Sequence, residues 1–207
     1  MAQIALPLDW PASETESAFV VGSSNAQAVR HLESHARWPI ATTILTGPRK
    51  SGRSLLGRIF AARTGGVLID DGEAADEEEV FLAWNRAQET RRPLLIVAAA
   101  APPEWRPALP DLASRLSATP VVTIGDPDDE IRARLLPRLL ERRGLSVTPE
   151  LIHYLLPRLP RTYHGMLQAV ETLDAASLAT RRVLTVPFAR EALNLGQALS
   201  GNERDAG

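Results

Sequence analysis

An α/β fold with a parallel sheet, followed by an all-helical region, is the architecture that this 207-residue sequence predicts. Three observations carry it. Short β-branched or aliphatic runs alternate with stretches of helical periodicity as far as residue 125, the pattern of βαβ units whose sheet is covered on both faces. A glycine-bearing octapeptide, Gly47-Pro48-Arg49-Lys50-Ser51-Gly52-Arg53-Ser54, joins the first strand to its helix. From Asp126 onward only helical patterns remain.

The elements follow in order. Residues 1–24 form a Pro-, Ser- and Glu-containing tail, and 25–35 read as a helix. Residues 41–46 are β-branched and predict a buried strand, while 54–63 carry apolar residues at helical spacing. A second strand, 66–70, runs into Asp71. The acidic run Asp76-Glu77-Glu78-Glu79 suits the first turn of a helix ending near Glu89, because carboxylates there complement the helix dipole. Leu94-Leu95-Ile96-Val97 is the third strand, 110–116 a short helix and 120–124 the fourth strand. Asp126-Pro127-Asp128 opens a helix that stops at Gly144, Pro149 opens another, a third spans 161–179, and a last begins near Pro187. This divides the chain into a tail (1–24), an α/β base (25–125), a helical lid (126–198) and a polar, disordered end (199–207).

Composition narrows the function classes. With 44% hydrophobic residues the chain is globular, and a formal charge of −2 provides no field for non-specific DNA binding. Absence of cysteine excludes disulfides and thiolate metal sites and agrees with a reducing compartment. No apolar run approaches the roughly 18 residues that span a bilayer, and the start lacks the basic and apolar regions of a signal peptide, so a cytoplasmic location is expected.

Strand, glycine loop and helix, in that order, are what a phosphate-binding loop requires. Gly47 and Gly52 let backbone N–H groups turn inward around phosphate oxygens, the helix N-terminus adds positive potential, and the Ser54 hydroxyl is placed to hold Mg²⁺. Pro48 lies within the same turn. Arg53 stands where lysine is usual: it keeps the charge but replaces a compact ammonium with a planar fork, which disturbs γ-phosphate geometry. A bare glycine turn without a ligand is the alternative. Asp70 and Asp71 end a strand where such sheets place ligand-contacting groups, one suited to the magnesium shell and the other to orienting water; Asp-Asp is also ordinary turn chemistry. Arg115 closes a short helix near the sheet edge, either as a surface ion-pair partner or as a cation lent to a neighbouring subunit's γ-phosphate. His31 and His35 form an i,i+4 pair expected on a solvated surface, and Arg132, Arg134, Arg138, Arg142 and Arg143 read as the wet face of a lid helix.

Taken together, these residues resemble the Hda family, short AAA+ relatives of the bacterial initiator DnaA. Four segments carry the likeness and span most of the chain: Gln3-Ile4-Ala5-Leu6-Pro7-Leu8, the arginine-bearing phosphate loop, Leu109 to Leu116, and Leu173 to Leu178 through Leu184 to Phe188. The resemblance implies an AAA+ P-loop base with a shortened parallel sheet and a C-terminal helical lid. It implies that Gln3, Ile4, Leu6, Pro7 and Leu8 dock on the DNA polymerase sliding clamp, and that Arg115 acts as an arginine finger in DnaA's own ATP site. It also implies ADP or ATP with Mg²⁺ at Gly47, Pro48, Gly52, Arg53, Ser54, Asp70 and Asp71, with Arg161 or His164 contributing from the lid. No helix-turn-helix domain follows, so sequence-specific DNA reading is not expected; a homodimer is left open.

Departures from the wider AAA+ pattern shape the expectation. One βα unit is missing between the loop helix and Asp70, Ala98-Ala99-Ala100-Ala101 occupies the place of a polar sensor, and His164 aligns where the family has arginine. With Arg53 in the loop, these predict slow or absent intrinsic turnover and favour ADP as a structural ligand. The expected function is a clamp-tethered negative regulator that stimulates DnaA's hydrolysis; the alternative is an autonomous P-loop ATPase of the loader or remodelling type.

Overall fold

The computed structural model of the chain describes residues 19–202, with side chains as far as Asn194. It comprises two compact units, an α/β base that ends at Gly125 and a helical lid that begins at Asp126, with Pro48–Ser51 grouped with the second.

In the base, α1 (Ala26–Glu33) leads through a 3₁₀ turn at His35–Arg37 to β1 (Thr42–Thr46), α2 (Arg53–Thr64), β2 (Val67–Ile69), α3 (Glu77–Thr90), β3 (Leu94–Val97), α4 (Pro110–Ala118) and β4 (Val121–Thr123). Every strand pairing is parallel, in the order β2-β3-β1-β4. The shortened sheet expected from the missing βα unit is therefore observed, with β2 as an edge strand.

Central position explains the composition of β1, whose five residues are all buried. Buried hydroxyls are costly unless bonded, and each threonine of β1 is. Thr42 accepts from the Gln88 amide at 3.0 Å, Thr43 bonds the His31 Nε2 at 2.9 Å, and Thr46 bonds Thr123 at 2.8 Å. One sheet face packs Ile44, Leu94 and Ile96 against Val80 and Ala87 of α3 and Leu112 and Leu116 of α4. On the other, α2 comes so close that a Cβ at Gly57 would lie 2.8 Å from a Leu68 methyl and 3.2 Å from one of Val97.

Two expectations about the first 35 residues are corrected. The tail boundary at residue 24 falls too late: Val20 is buried, Asn25 Nδ2 donates to the Val20 carbonyl at 2.8 Å, and the Gly125 amide donates to the Ser24 carbonyl at 2.8 Å. His31 and His35 are half-buried rather than solvated, because they join Trp38 and Phe60 in a ring cluster. Burial of His31 pushes its imidazole below the ordinary value.

The lid is built of α5 (Asp129–Glu141), α6 (Pro149–Leu155), α7 (Tyr163–Thr180) and α8 (Val186–Asn202). Asp128, Thr148 and Thr162 cap the first three by accepting from the amides of Ile131, Leu151 and Gly165, the role short polar side chains play at helix starts. Leu136, Leu140, Leu151, Leu155, Leu173 and Phe188 form its core. The last helix continues to Asn202, beyond the expected lid boundary at Ala198.

Arg132 is the third correction. Instead of facing water it is 3% exposed, donating to Asp129 Oδ1 at 2.8 Å, to the Leu156 carbonyl and to the Leu159 carbonyl at 3.1 Å. Carbonyls at the end of α6 lack intrahelical donors, and this guanidinium supplies them.

Candidate functional site

The phosphate loop leaves β1 through three left-handed or open turns. At Gly47 φ is +149° and an added Cβ would sit 2.7 Å from the Ile124 carbonyl oxygen; Lys50 has φ +65° and Gly52 +88°. The Ser51 amide closes a turn on the Pro48 carbonyl at 3.2 Å, and the Leu56 amide reaches back to Gly52 at 2.8 Å. α2 thus begins at Arg53, so its first amides have no acceptor in the preceding turn and stand at the positive end of the dipole. Ser51 is only 5% exposed, and its hydroxyl has no hydrogen-bond partner.

Next to this loop, the Ser54 hydroxyl donates to Asp70 Oδ1 at 2.9 Å, with the Arg58 guanidinium 3.9 Å from Oδ2. The two aspartates divide their labour. Asp70 faces Ser54, whereas Asp71 adopts φ +59° and its carbonyl accepts from the Ala74 amide at 2.9 Å, so it makes the turn. Arg53 folds onto the sheet and donates to the Ala98 carbonyl just past β3.

The alanine run at 98–101 is fastened from the other side. Both oxygens of Glu73 accept from it, taking the Ala99 and Ala100 amides at 2.7 Å each. Sequence reasoning passed over Glu73; the signal was a carboxylate in the turn after β2, opposite a run whose amides needed acceptors.

Arg115 is placed by α3. The Glu77 carboxylate accepts from Ala108 and Leu109 at 2.8 and 2.7 Å, capping an α4 start where Leu109 offers no side-chain oxygen. At the far end of α4 the Arg115 guanidinium lies 4.8 Å from the Phe81 ring centroid and 4.7 Å from that of Trp84. Trp84 is fixed by its indole N–H to the Thr119 hydroxyl at 3.0 Å, and that hydroxyl donates to the Arg115 carbonyl at 2.8 Å. Arg115 is half-buried, with its Nε buried and unpartnered. Rings, rather than the carboxylate of a surface ion pair, hold it.

In the lid, Arg161 is 75% exposed and bonds Asp129 at 3.1 Å, and His164 is exposed near the start of α7. Gln3, Ile4, Leu6, Pro7 and Leu8 lie outside the described residues. Among the described residues no three His, Cys, Asp or Glu side chains are grouped to hold a metal ion, so a magnesium ion here would need oxygens from a bound phosphate. No helix among those residues is long and apolar enough to cross a membrane.

Residues 129–193 match the Hda lid domain. The base and lid also resemble domain III of the Thermotoga maritima replication initiation protein DnaA, with a TM-score of 0.69 at 16% identity over 86% of this chain and 94% of that one. The lid of this chain is thus of the Hda type by sequence, and the fold as a whole is like that of DnaA domain III. Aquifex aeolicus DnaA bound to AMPPCP is similar at a TM-score of 0.59 and 16% identity, over 77% of this chain and 63% of that one. The Thermotoga maritima RuvB branch migration motor scores 0.61 at 12% identity, over 84% and 70%. These structural likenesses show the fold. In sequence, an uncharacterised protein of Haemophilus influenzae is 33% identical over 135 residues, covering 62% of this chain and 58% of the relative's length.

Proposed function

We propose that this chain is a nucleotide-loaded negative regulator of replication initiation that stimulates ATP hydrolysis in DnaA. The single observation that carries the reading is the Hda lid match over residues 129–193. It is supported by the DnaA-like base and by the surface-facing end of α4 that bears Arg115.

The residues of the loop fit an adenine nucleotide. Gly47 and Gly52 keep the backbone open to phosphate oxygens, the start of α2 offers unpaired amides, and the orphaned Ser51 hydroxyl gains a partner. The AMPPCP bound by Aquifex DnaA argues in the same direction. Ser54 and Asp70, already 2.9 Å apart, would hold Mg²⁺, which when bound neutralises phosphate charge. Glu73 spends both oxygens on backbone amides and Arg53 is turned to a carbonyl, so neither is free to position water or the γ-phosphate. Low intrinsic turnover with ADP retained follows from that arrangement.

In this reading Arg115 enters DnaA's site as the finger, and Gln3 to Leu8 tether the protein to the sliding clamp in the cytoplasm. Adding the protein and clamp-loaded DNA to DnaA–ATP is expected to accelerate hydrolysis at least tenfold, within the range an arginine finger supplies. Arg115→Ala abolishes the acceleration, and a chain starting at Asp9 loses the clamp-dependent part; full stimulation by Arg115→Ala would remove the finger. The intact Ser54–Asp70 pair favours one rival, an autonomous ATPase. Steady turnover by the isolated protein that falls on Asp70→Asn would establish it instead.

A further inference from the structure

We propose that Lys50 is the cation this loop directs at the β-phosphate of a bound nucleoside diphosphate, in the part that the Arg53 position serves in the usual phosphate loop. The proposal rests on the nucleotide-binding reading and deepens it.

Lys50 is the only lysine in the sequence; every other residue of the 23 Lys and Arg is arginine. A chain otherwise built with guanidinium groups keeps one compact ammonium, and keeps it inside the octapeptide between β1 and α2. Backbone geometry sharpens the point. Four non-glycine residues among those described have positive φ: Lys50, Asp71, Arg91 and Arg181. Arg91 and Arg181 end α3 and α7, where a left-handed residue is the common helix terminator. Asp71 is of the type that tolerates this region through its short polar side chain. Lys50 ends no helix; its φ of +65°, which glycine would take without strain, is the left-handed step by which such a loop turns its amides toward an anion. A non-glycine outlier at this place in the loop points from geometry toward function.

The neighbours leave the role open for it. Arg53 is committed to the Ala98 carbonyl, whereas the Lys50 side chain is exposed. The buried, unpartnered Ser51 hydroxyl is the next residue, so the loop holds an unmet polar group beside the cation. A flexible four-carbon stem ending in a small, strongly hydrated charge suits a single phosphate oxygen better than a planar fork does.

Titration of the full chain with fluorescent ADP and with AMP, for wild type, Lys50→Gly and Lys50→Arg, tests this. Lys50→Gly is expected to raise the unfolding temperature without nucleotide, by relief of strain, yet to bind ADP roughly tenfold or more weakly, the loss of one charge-assisted contact. AMP, with no β-phosphate, binds both equally, and Lys50→Arg recovers part of the ADP affinity. Equal ADP affinity of wild type and Lys50→Gly, or a parallel loss for AMP, overturns the assignment while leaving nucleotide binding in place. If wild type binds neither nucleotide, the underlying reading itself falls. Lysine uniqueness adds a second readout: an amine-directed acetylating reagent has one side-chain target, and ADP but not AMP is expected to slow its modification. Acetylation unslowed by saturating ADP overturns the proposal.

Discussion

The lid and the base each withdraw an arginine from water, and they give it opposite company. Arg132 in the lid is surrounded by oxygens, the Asp129 carboxylate and two carbonyls at the end of α6. Arg115 in the base lies against two aromatic faces; in both residues the Nε is buried without an acceptor. The difference matters because the two arrangements fail differently. Removing Arg132 takes the donor from the Leu156 and Leu159 carbonyls, whereas lifting Arg115 away from Phe81 and Trp84 exposes ring surface. A guanidinium bound to oxygens cannot move without breaking hydrogen bonds; one resting on rings can.

Three substitutions test that contrast, in descending order of expected effect. Arg132→Ala is expected to cost the fold about 3 kcal/mol, as losses of buried charged partners do, seen as a lowered urea midpoint. Arg115→Ala is expected to cost about 1 kcal/mol, the worth of a cation on aromatic faces, with the same probe. A larger loss at Arg115 than at Arg132 would erase the distinction between a structural and a lent cation. The smallest effect concerns pH. Because burial depresses the folded imidazole of His31, the unfolded chain binds its proton first. Stability is then complete above the ordinary value of about 6.5 and declines as pH falls through the depressed folded value. His31→Gln is expected to flatten thermal stability between roughly pH 7 and pH 5; an unchanged slope would assign the acid sensitivity elsewhere.

Much of this organisation was legible in the residues. Strand and helix order and four parallel strands follow from periodicity and capping chemistry that act locally, and the structure reproduces them. Arg132 shows where local reading stops. It lies on one row with Leu136 and Leu140, at i, i+4 and i+8 of α5, and all three are buried. Its position announced the core while its charge announced solvent, and only the end of α6, distant in sequence, decides between them. Glu73, Glu77, Phe81 and Trp84 were missed for the same reason. Each acts on a backbone or side chain at least 26 residues away, so no window of neighbouring residues contains both partners. The Ser54–Asp70 contact was recoverable because two local patterns, a phosphate loop and a strand-end carboxylate, each marked one partner.

The four-stranded sheet leaves β2 outermost, exposed to the protein's neighbours. An outermost strand with bare amides and carbonyls invites a foreign strand to zip alongside and seed aggregates. Here the invitation is brief: three residues, Val67–Ile69, followed closely by the left-handed kink at Asp71. A visitor would gain too few ladder rungs to be held. Brevity makes this edge a poor template.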